Sequence, residues 1–426
     1  MPIKTLHLTS SWHPASGGIR TFYQELIRAA NARERHIRLV VPGPRTETVE
    51  AGPFGRIHYI AAPRSWLFDS RYRLLLPHTY LSPFHQTLRR ILRAEQPDLI
   101  EICDKYSLCW LAGLLRRGWM PELNRPALVG MSCERMDDNV AAWISRRPWL
   151  RNMTKRYLGQ LYIGQFDCHI ANSPYTADEL CEAMTPAHQR PVLSGPMGAD
   201  IAAFSPERRN AAAREALLAR VSATPCTALL LYAGRLSAEK NLGLLVEMME
   251  RLSADNDRCY RLIIAGDGPA RAWLQREMDR SVPGRVYFAG QIGDRAELAD
   301  LYANCDAFIH PNPREPFGIA PLEAMASGLP LVAPESGGVL SYADQENAWL
   351  APASGPAFAQ AVRDVFGAAD LRRRKTIEAR RTAEAYSWDK IATGFFSLYD
   401  TLHLEFRPPR QETAISLPQM EARIER

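Results

Sequence analysis

Glu315-Pro316-Phe317-Gly318-Ile319-Ala320-Pro321-Leu322-Glu323 is the stretch on which the reading of this chain turns. Apolar runs flank it at residues 307–310 and 331–333, and residues 321–327 carry helical spacing. Strand, loop, helix and strand in that order make a βαβ unit, which places parallel strands in one sheet. The first glutamate falls in the loop and the second about one turn into the helix. Two carboxylates, which accept but cannot donate, can therefore face one pocket at different depths. The helix start between them offers free amides and a positive dipole end, which favour an anion. A sugar nucleotide suits this arrangement, with its phosphates on the amides and its hydroxyls on the carboxylates. A solvated helix start would give the same local pattern, so the rest of the chain has to decide between them.

The alternation continues in both directions. Toward the N-terminus, strands are expected at residues 4–9, 36–41, 56–61, 98–102, 127–132 and 168–172, with helices at 84–95, 106–117 and 174–184. Ile19, Phe22, Tyr23, Leu26, Ile27 and Ala30 recur at helical spacing after the first strand. The pattern breaks around residues 195–206, which reads as an interdomain connection before a helix at 207–219. A second alternating series begins at 228–234, with strands at 261–266, 286–289, 307–310 and 331–333. Its helices are expected at 242–252, 270–279, 295–303 and 321–327. The expected fold is α/β, with two Rossmann-like doubly wound domains, residues 1–200 and 201–387, facing across a cleft. Ligands should bind in that cleft, at the carboxyl ends of the strands. Residues 388–406 read as a helix crossing back to the first domain, and the polar stretch 407–426 as a loose tail.

Composition narrows the class. The chain has 426 residues, 46% of them hydrophobic, enough for two or three packed domains. A net charge of +5 is too mild to indicate nucleic acid as the main partner. None of the eight cysteines forms a C-x-x-C pair, so zinc or thioredoxin-type chemistry is not indicated, and buried thiols fit a reducing cytosol. No signal peptide is visible, and the longest apolar run, residues 106–115, is far short of a membrane span. A cytoplasmic protein, peripheral on the inner face of a membrane or free, is expected.

Four further motifs carry chemistry or shape. Gly17-Gly18 opens the first helix, where missing Cβ atoms allow close approach of a ligand. Gly234-Arg235-Leu236-Ser237-Ala238-Glu239-Lys240 places an Arg and a Lys five positions apart in a loop after a strand. The planar fork and the point charge can converge on one diphosphate and neutralise it as it leaves. Gly266-Asp267-Gly268-Pro269 reads as a turn, with Pro269 as the first helical residue. Ser336-Gly337-Gly338 is a second tight turn.

In this order the motifs resemble those of the large family of retaining, nucleotide-sugar-dependent glycosyltransferases with the GT-B fold, which bears a Glu-x7-Glu motif (glycosyltransferase family 4-like, glycosyl transferases group 1). The resemblance spans about residues 3–400 and is tighter in the second half. It implies that Arg235 and Lys240 hold the donor diphosphate, that Glu315 contacts hydroxyls of the transferred sugar, and that Glu323 contacts the ribose. It also implies that the backbone of Phe317, Gly318 and Ile319 meets sugar and phosphate, that Gly17 and Gly18 approach from the opposite domain, and that Gly266 borders the donor. No cofactor and no metal are implied for donor binding. Asp137-Asp138 is adjacent rather than spaced and reads as a helix start. The implied reaction is front-face displacement with retention, in which a leaving phosphate oxygen accepts the acceptor proton.

One position departs from the family. Cys133 stands where the family usually has a His near the transferred sugar. A thiol is a weak donor, so Glu134 or Arg135 would supply the contact, or the contact is lost; a packing role suits Cys133 better than a nucleophilic one. His13 and His310 are further candidates to line the cleft.

The acceptor side is read from two basic stretches. Arg146, Arg147, Trp149, Arg151, Lys155 and Arg156, with Arg135 upstream, mix cations with apolar side chains. Arg64, Trp66, Leu67, Phe68, Arg71, Tyr72 and Arg73 have the same character. Such mixtures suit an anionic bilayer, which points to a lipid or lipid-linked glycan acceptor. A helix with a solvated basic face would look the same. The rival functions are a sugar-nucleotide epimerase of the same shape, a phosphorylase, and a non-catalytic sugar-nucleotide-binding protein.

Overall fold

The computed structural model describes residues 2–13, 17–65, 72–82, 86–145, 147–255 and 257–406. Strands β1 (Lys4–Thr9), β2 (His36–Gly43), β3 (Glu47–Glu50), β4 (Gly55–Ala61), β5 (Leu99–Cys103), β6 (Ala127–Ser132), β7 (Cys168–Ala171) and β8 (Val192–Ser194) form one sheet. Its order is 3-4-2-1-5-6-7-8, and every pair is parallel except β3 with β4. Strands β9 (Ala228–Ala233), β10 (Tyr260–Ala265), β11 (Val286–Gly290), β12 (Ala307–Ile309), β13 (Leu331–Pro334) and β14 (Trp349–Ala351) form the second. Its order is 11-10-9-12-13-14, parallel throughout. Each sheet is doubly wound, with its direction of growth reversing beside β1 and β5 in the first and beside β9 and β12 in the second.

The central strands are buried on both faces, as parallel strands under crossover helices must be. Leu230, Leu262 and Ile264 pack beneath helices Gly243–Ser253 and Gly355–Gly367, while Leu229, Leu231 and Ile263 face the other way. That second core runs on into the first domain through Phe204, Phe317, Trp388, Phe395 and Phe22.

Helix Trp388–Phe406 follows the second domain and lies on the first. Phe395 meets Phe22 at 4.9 Å, and Tyr399 donates to Oε2 of buried Glu101 at 2.7 Å. Phe395, Phe396, Tyr399 and Leu402 are all buried, and each contributes about 1.5–3 kcal/mol to holding the domains together.

Several elements depart from expectation. β3 is a polar hairpin strand with three exposed residues, so no apolar alternation marks it. Helix Ala369–Ala385 buries only Lys375, Ala379 and Ala383, which leaves no apolar stripe to read. The helix expected at 207–219 is a 3-10 turn, Pro206–Arg208, followed by Ala211–Arg220, whose start Asn210 caps by accepting from the amides of Ala212 and Ala213. Pro269 is not helical: the helix begins at Arg271, and the preceding turn is set by the amide of Ala270 donating to Leu236. The tail 407–426 lies outside the described residues.

Candidate functional site

The motif residues of the second domain gather at the carboxyl ends of its strands. Gly234 to Lys240 follow β9, Gly266 follows β10, His310 to Glu315 follow β12, and Gly337-Gly338 follow β13. Because β9 and β12 are neighbours in the sheet, residues far apart in the chain become adjacent here.

The glycines account for how closely these loops pack. Gly266 has φ +147°, and a Cβ there would stand 1.9 Å from the carbonyl oxygen of Gly234. The loop bearing Arg235 therefore rests directly on the Gly266 turn. Gly338 donates to the carbonyl of Glu315 at 2.6 Å, and a Cβ on it would meet the Pro316 carbonyl oxygen at 1.9 Å. The Gly337-Gly338 turn is thus the cradle of the Glu315 loop.

Lys240 Nζ donates to both carboxylate oxygens of Glu315, at 3.0 and 2.7 Å, and Asn312 Nδ2 adds a third bond at 2.9 Å. Burial opposes the charge of Glu315, yet Lys240 and His310 outweigh it and hold the carboxyl at about 2. Arg235 donates to Glu239 Oε1 at 2.6 Å, and Ser237 donates to the same oxygen at 2.5 Å. Both cations are therefore held in place by acidic partners, Arg235 by Glu239 and Lys240 by Glu315.

Helix Ile319–Ala326 starts from Gly318, whose φ of +92° only a glycine adopts readily. Tyr342 donates to the carbonyl oxygens of Phe317 and Gly318, at 3.2 and 2.5 Å, and fixes the turn. Glu323 sits in the second turn of this helix and is buried. Burial raises its carboxyl to about 7, with Arg295 pulling it down and Asp200 pushing it up. Arg295 bridges the two, at 3.4 Å from Glu323 and 3.2 Å from Asp200.

The first domain reaches this site at four points. A Cβ on Gly18 would lie 3.1 Å from Cδ1 of Ile319, while Gly17 faces open space. Ser173, which caps helix Pro174–Ala183, donates to the carbonyl of Pro316 at 2.5 Å. Arg314 stands 3.9 Å from Asp138, in the first turn of helix Met136–Trp143. Tyr72 stands 3.3 Å from Arg235 and packs edge-on against His13, which brings that histidine to the cleft. Sequence reading missed Ser173, Asn312, Arg295 and Tyr342, and it placed Tyr72 on a basic outer surface instead of in the cleft. Ser173 alone had a local signal, a Ser before Pro at a helix start.

Cys133 is buried after β6, where a hydrogen bond with Cys103 and burial push its thiol well above the ordinary range. A protonated, packed thiol is a poor nucleophile. Cys133 and Glu134 line one small cavity with Ser11, Asp104 and Lys105. Arg135 is unavailable for the contact that the resemblance assigned to this position, since it is buried and binds Asp137 through Nε at 3.0 Å and Nη2 at 2.9 Å. For the same reason it does not belong to the basic surface in which the sequence placed it. Arg147, Trp149, Arg151 and Lys155 are exposed on or beside helix Pro148–Tyr157, with Trp149 at 52% and Met153 at 57%. Arg146, like Trp66, Leu67, Phe68 and Arg71, lies outside the described residues. Tyr72 turns into the cleft, so the second basic stretch is not a uniform outer surface.

Two facing doubly wound domains, joined through a crossing C-terminal helix, define the GT-B fold. Sucrose-phosphate synthase from Thermosynechococcus elongatus superposes with a TM-score of 0.76 at 22% identity, over 94% of this chain and all of that one. The family description "Glycosyltransferase Family 4" matches residues 16–193, and "Glycosyl transferases group 1" matches residues 227–367. The chain belongs to this group 1, family 4-like class of glycosyltransferases. A GDP-mannose-dependent alpha-(1-6)-phosphatidylinositol dimannoside mannosyltransferase of Mycobacterium tuberculosis is 27% identical over 95% of this chain and 98% of its own. A D-inositol 3-phosphate glycosyltransferase of Jonesia denitrificans is also 27% identical, over 90% of this chain and 91% of its own. Among the described residues no helix is long and apolar enough to cross a membrane.

Proposed function

We propose that this enzyme transfers a hexosyl group, mannose foremost, from a nucleoside-diphosphate sugar to a hydroxyl of a lipid or lipid-linked glycan, with retention of configuration. The carrying observation is that Arg235, Lys240, Glu315, Glu323 and the Gly318 helix start converge at one switch point. Arg235 and Lys240 neutralise the diphosphate as it departs. Ile319 and Ala320 present amides to it at the helix start, Glu315 orients hydroxyls of the sugar, and Glu323 accepts from the ribose. The acceptor hydroxyl attacks the face the diphosphate leaves, and a phosphate oxygen takes its proton. No metal is required for donor binding, because the two cations and the helix start supply the positive charge. Residues 1–200 hold the acceptor, residues 201–387 the donor, and Gly17 and Gly18 close on the donor from across the cleft.

The names of the relatives favour GDP-mannose and an inositol-based lipid. The exposed Arg147, Trp149, Arg151 and Lys155 favour the anionic inner face of a membrane as the place of reaction. A transfer assay with GDP-mannose, and in parallel UDP-glucose, on phosphatidylinositol glycolipid in chelator tests this reading. An α-linked product from the α-linked donor supports retention. A β-linked product removes retention, and no turnover of any nucleotide sugar removes the enzymatic reading.

A further inference from the structure

His310 follows β12, and its amide still donates to the carbonyl of Val332 at 2.9 Å, so the sheet fixes its position. The residue is 6% exposed, and its Nε2 has no hydrogen-bond partner. A buried polar atom without a partner is uncommon and needs an explanation. Oε2 of Glu315 lies 3.9 Å from it, about 0.7 Å beyond hydrogen-bonding range. That oxygen is engaged by Lys240 at 2.7 Å and Asn312 at 2.9 Å. This arrangement ends when Lys240 turns to a diphosphate. Glu315, 13% exposed, would then be a buried carboxylate stripped of its cation, which is strongly unfavourable.

We propose that His310 is the positioning residue that replaces Lys240 on Glu315 when the donor binds, taking up a proton from solvent as it does so. This rests on the assignment of Lys240 to the diphosphate and Glu315 to the transferred sugar. The charged groups acting on the His310 ring are Glu315 and Lys240. Burial lowers its affinity for a proton most, Glu315 raises it and Lys240 lowers it again, leaving the imidazole at about 4. Removing Lys240 removes a depressing influence and leaves the carboxylate unshared, so the imidazole gains a proton and Nε2–H donates to Oε2. The hydroxyl-orienting carboxylate thereby stays charged and in place while its former partner serves the leaving group.

The test is calorimetric titration of GDP, and separately UDP, into the full chain at pH 6 in two buffers of different ionisation enthalpy. Wild type, His310→Gln and Lys240→Ala are compared. Glu323 also titrates in this range, so the reading is the difference between wild type and His310→Gln. Wild type should take up a larger fraction of a proton. The variant should bind within threefold of wild type and lose about tenfold in kcat with donor KM within threefold. Equal buffer dependence in the two, or an unchanged kcat, overturns the proposal. His310→Asn serves if His310→Gln lowers the melting temperature. Unimpaired nucleotide binding by Lys240→Ala, or no binding by wild type, overturns the underlying assignment of Lys240 and the inference with it.

Discussion

Lys240 and Glu315 form a double hydrogen-bonded ion pair across the loops that follow β9 and β12, with contacts of 3.0 and 2.7 Å. The pair makes one cation and one carboxylate of the proposed donor site each other's partner. Lys240→Ala should therefore cost about 2–3 kcal/mol in stability, because it leaves a mostly buried carboxylate without its cation. It should also abolish the rise in melting temperature that a bound nucleotide produces. Denaturant unfolding and thermal shift with GDP and UDP measure both effects. Adding Glu315→Gln should restore stability but not transfer, and recovery of transfer would remove both residues from the site.

Glu323 contributes in the opposite direction along the pH axis. Its folded value of about 7 lies above the ordinary carboxyl value, so the folded protein binds the extra proton between roughly pH 4 and 7. That contribution to stability is present at low pH and is lost as pH rises toward 7, by roughly 3 kcal/mol in all. Glu323→Gln should flatten the fall in melting temperature between pH 5 and 8 and raise nucleotide Kd about tenfold. An unchanged pH profile would locate the titration elsewhere.

Gly266→Ala should be severe on backbone grounds alone. The φ of +147° strains any L side chain, and the Gly234 carbonyl occupies the space for the Cβ. Displacement of the Arg235 loop should raise donor KM at least tenfold and cost about 2–3 kcal/mol in stability. Gly17→Ala, which meets nothing within 4 Å, is the control: it should leave stability within about 0.5 kcal/mol of wild type.

The basic helix makes a prediction about location rather than chemistry. A double Arg147→Glu, Lys155→Glu variant should lose sedimentation with anionic liposomes at low salt, since each cation near such a surface is worth about 1 kcal/mol. Its thermal shift with nucleotide should be unchanged. Equal sedimentation of variant and wild type would remove this helix as the membrane contact.

The sequence by itself determined the alternation of strands and helices, and with it two parallel doubly wound sheets. Each strand and helix advertises itself within about ten residues through its own apolar period. Helix Trp388–Phe406 was legible for the same reason, while Ala369–Ala385 was not, because so little of it is buried. The motifs of the second domain were legible because their residue types sit at fixed spacings after strand ends. Partnership was not local, so only the tertiary structure decided it. The 75 residues between Lys240 and Glu315 collapse to a hydrogen bond because the chain order 9-10-11-12 becomes the sheet order 11-10-9-12. The 163 residues between Tyr72 and Arg235 are bridged only by the closing of one domain on the other. Arg135 looked like a free cation, and a neighbouring carboxylate two residues on consumed it. Period and spacing are properties of a segment, whereas which charge meets which is settled by the winding of the sheet.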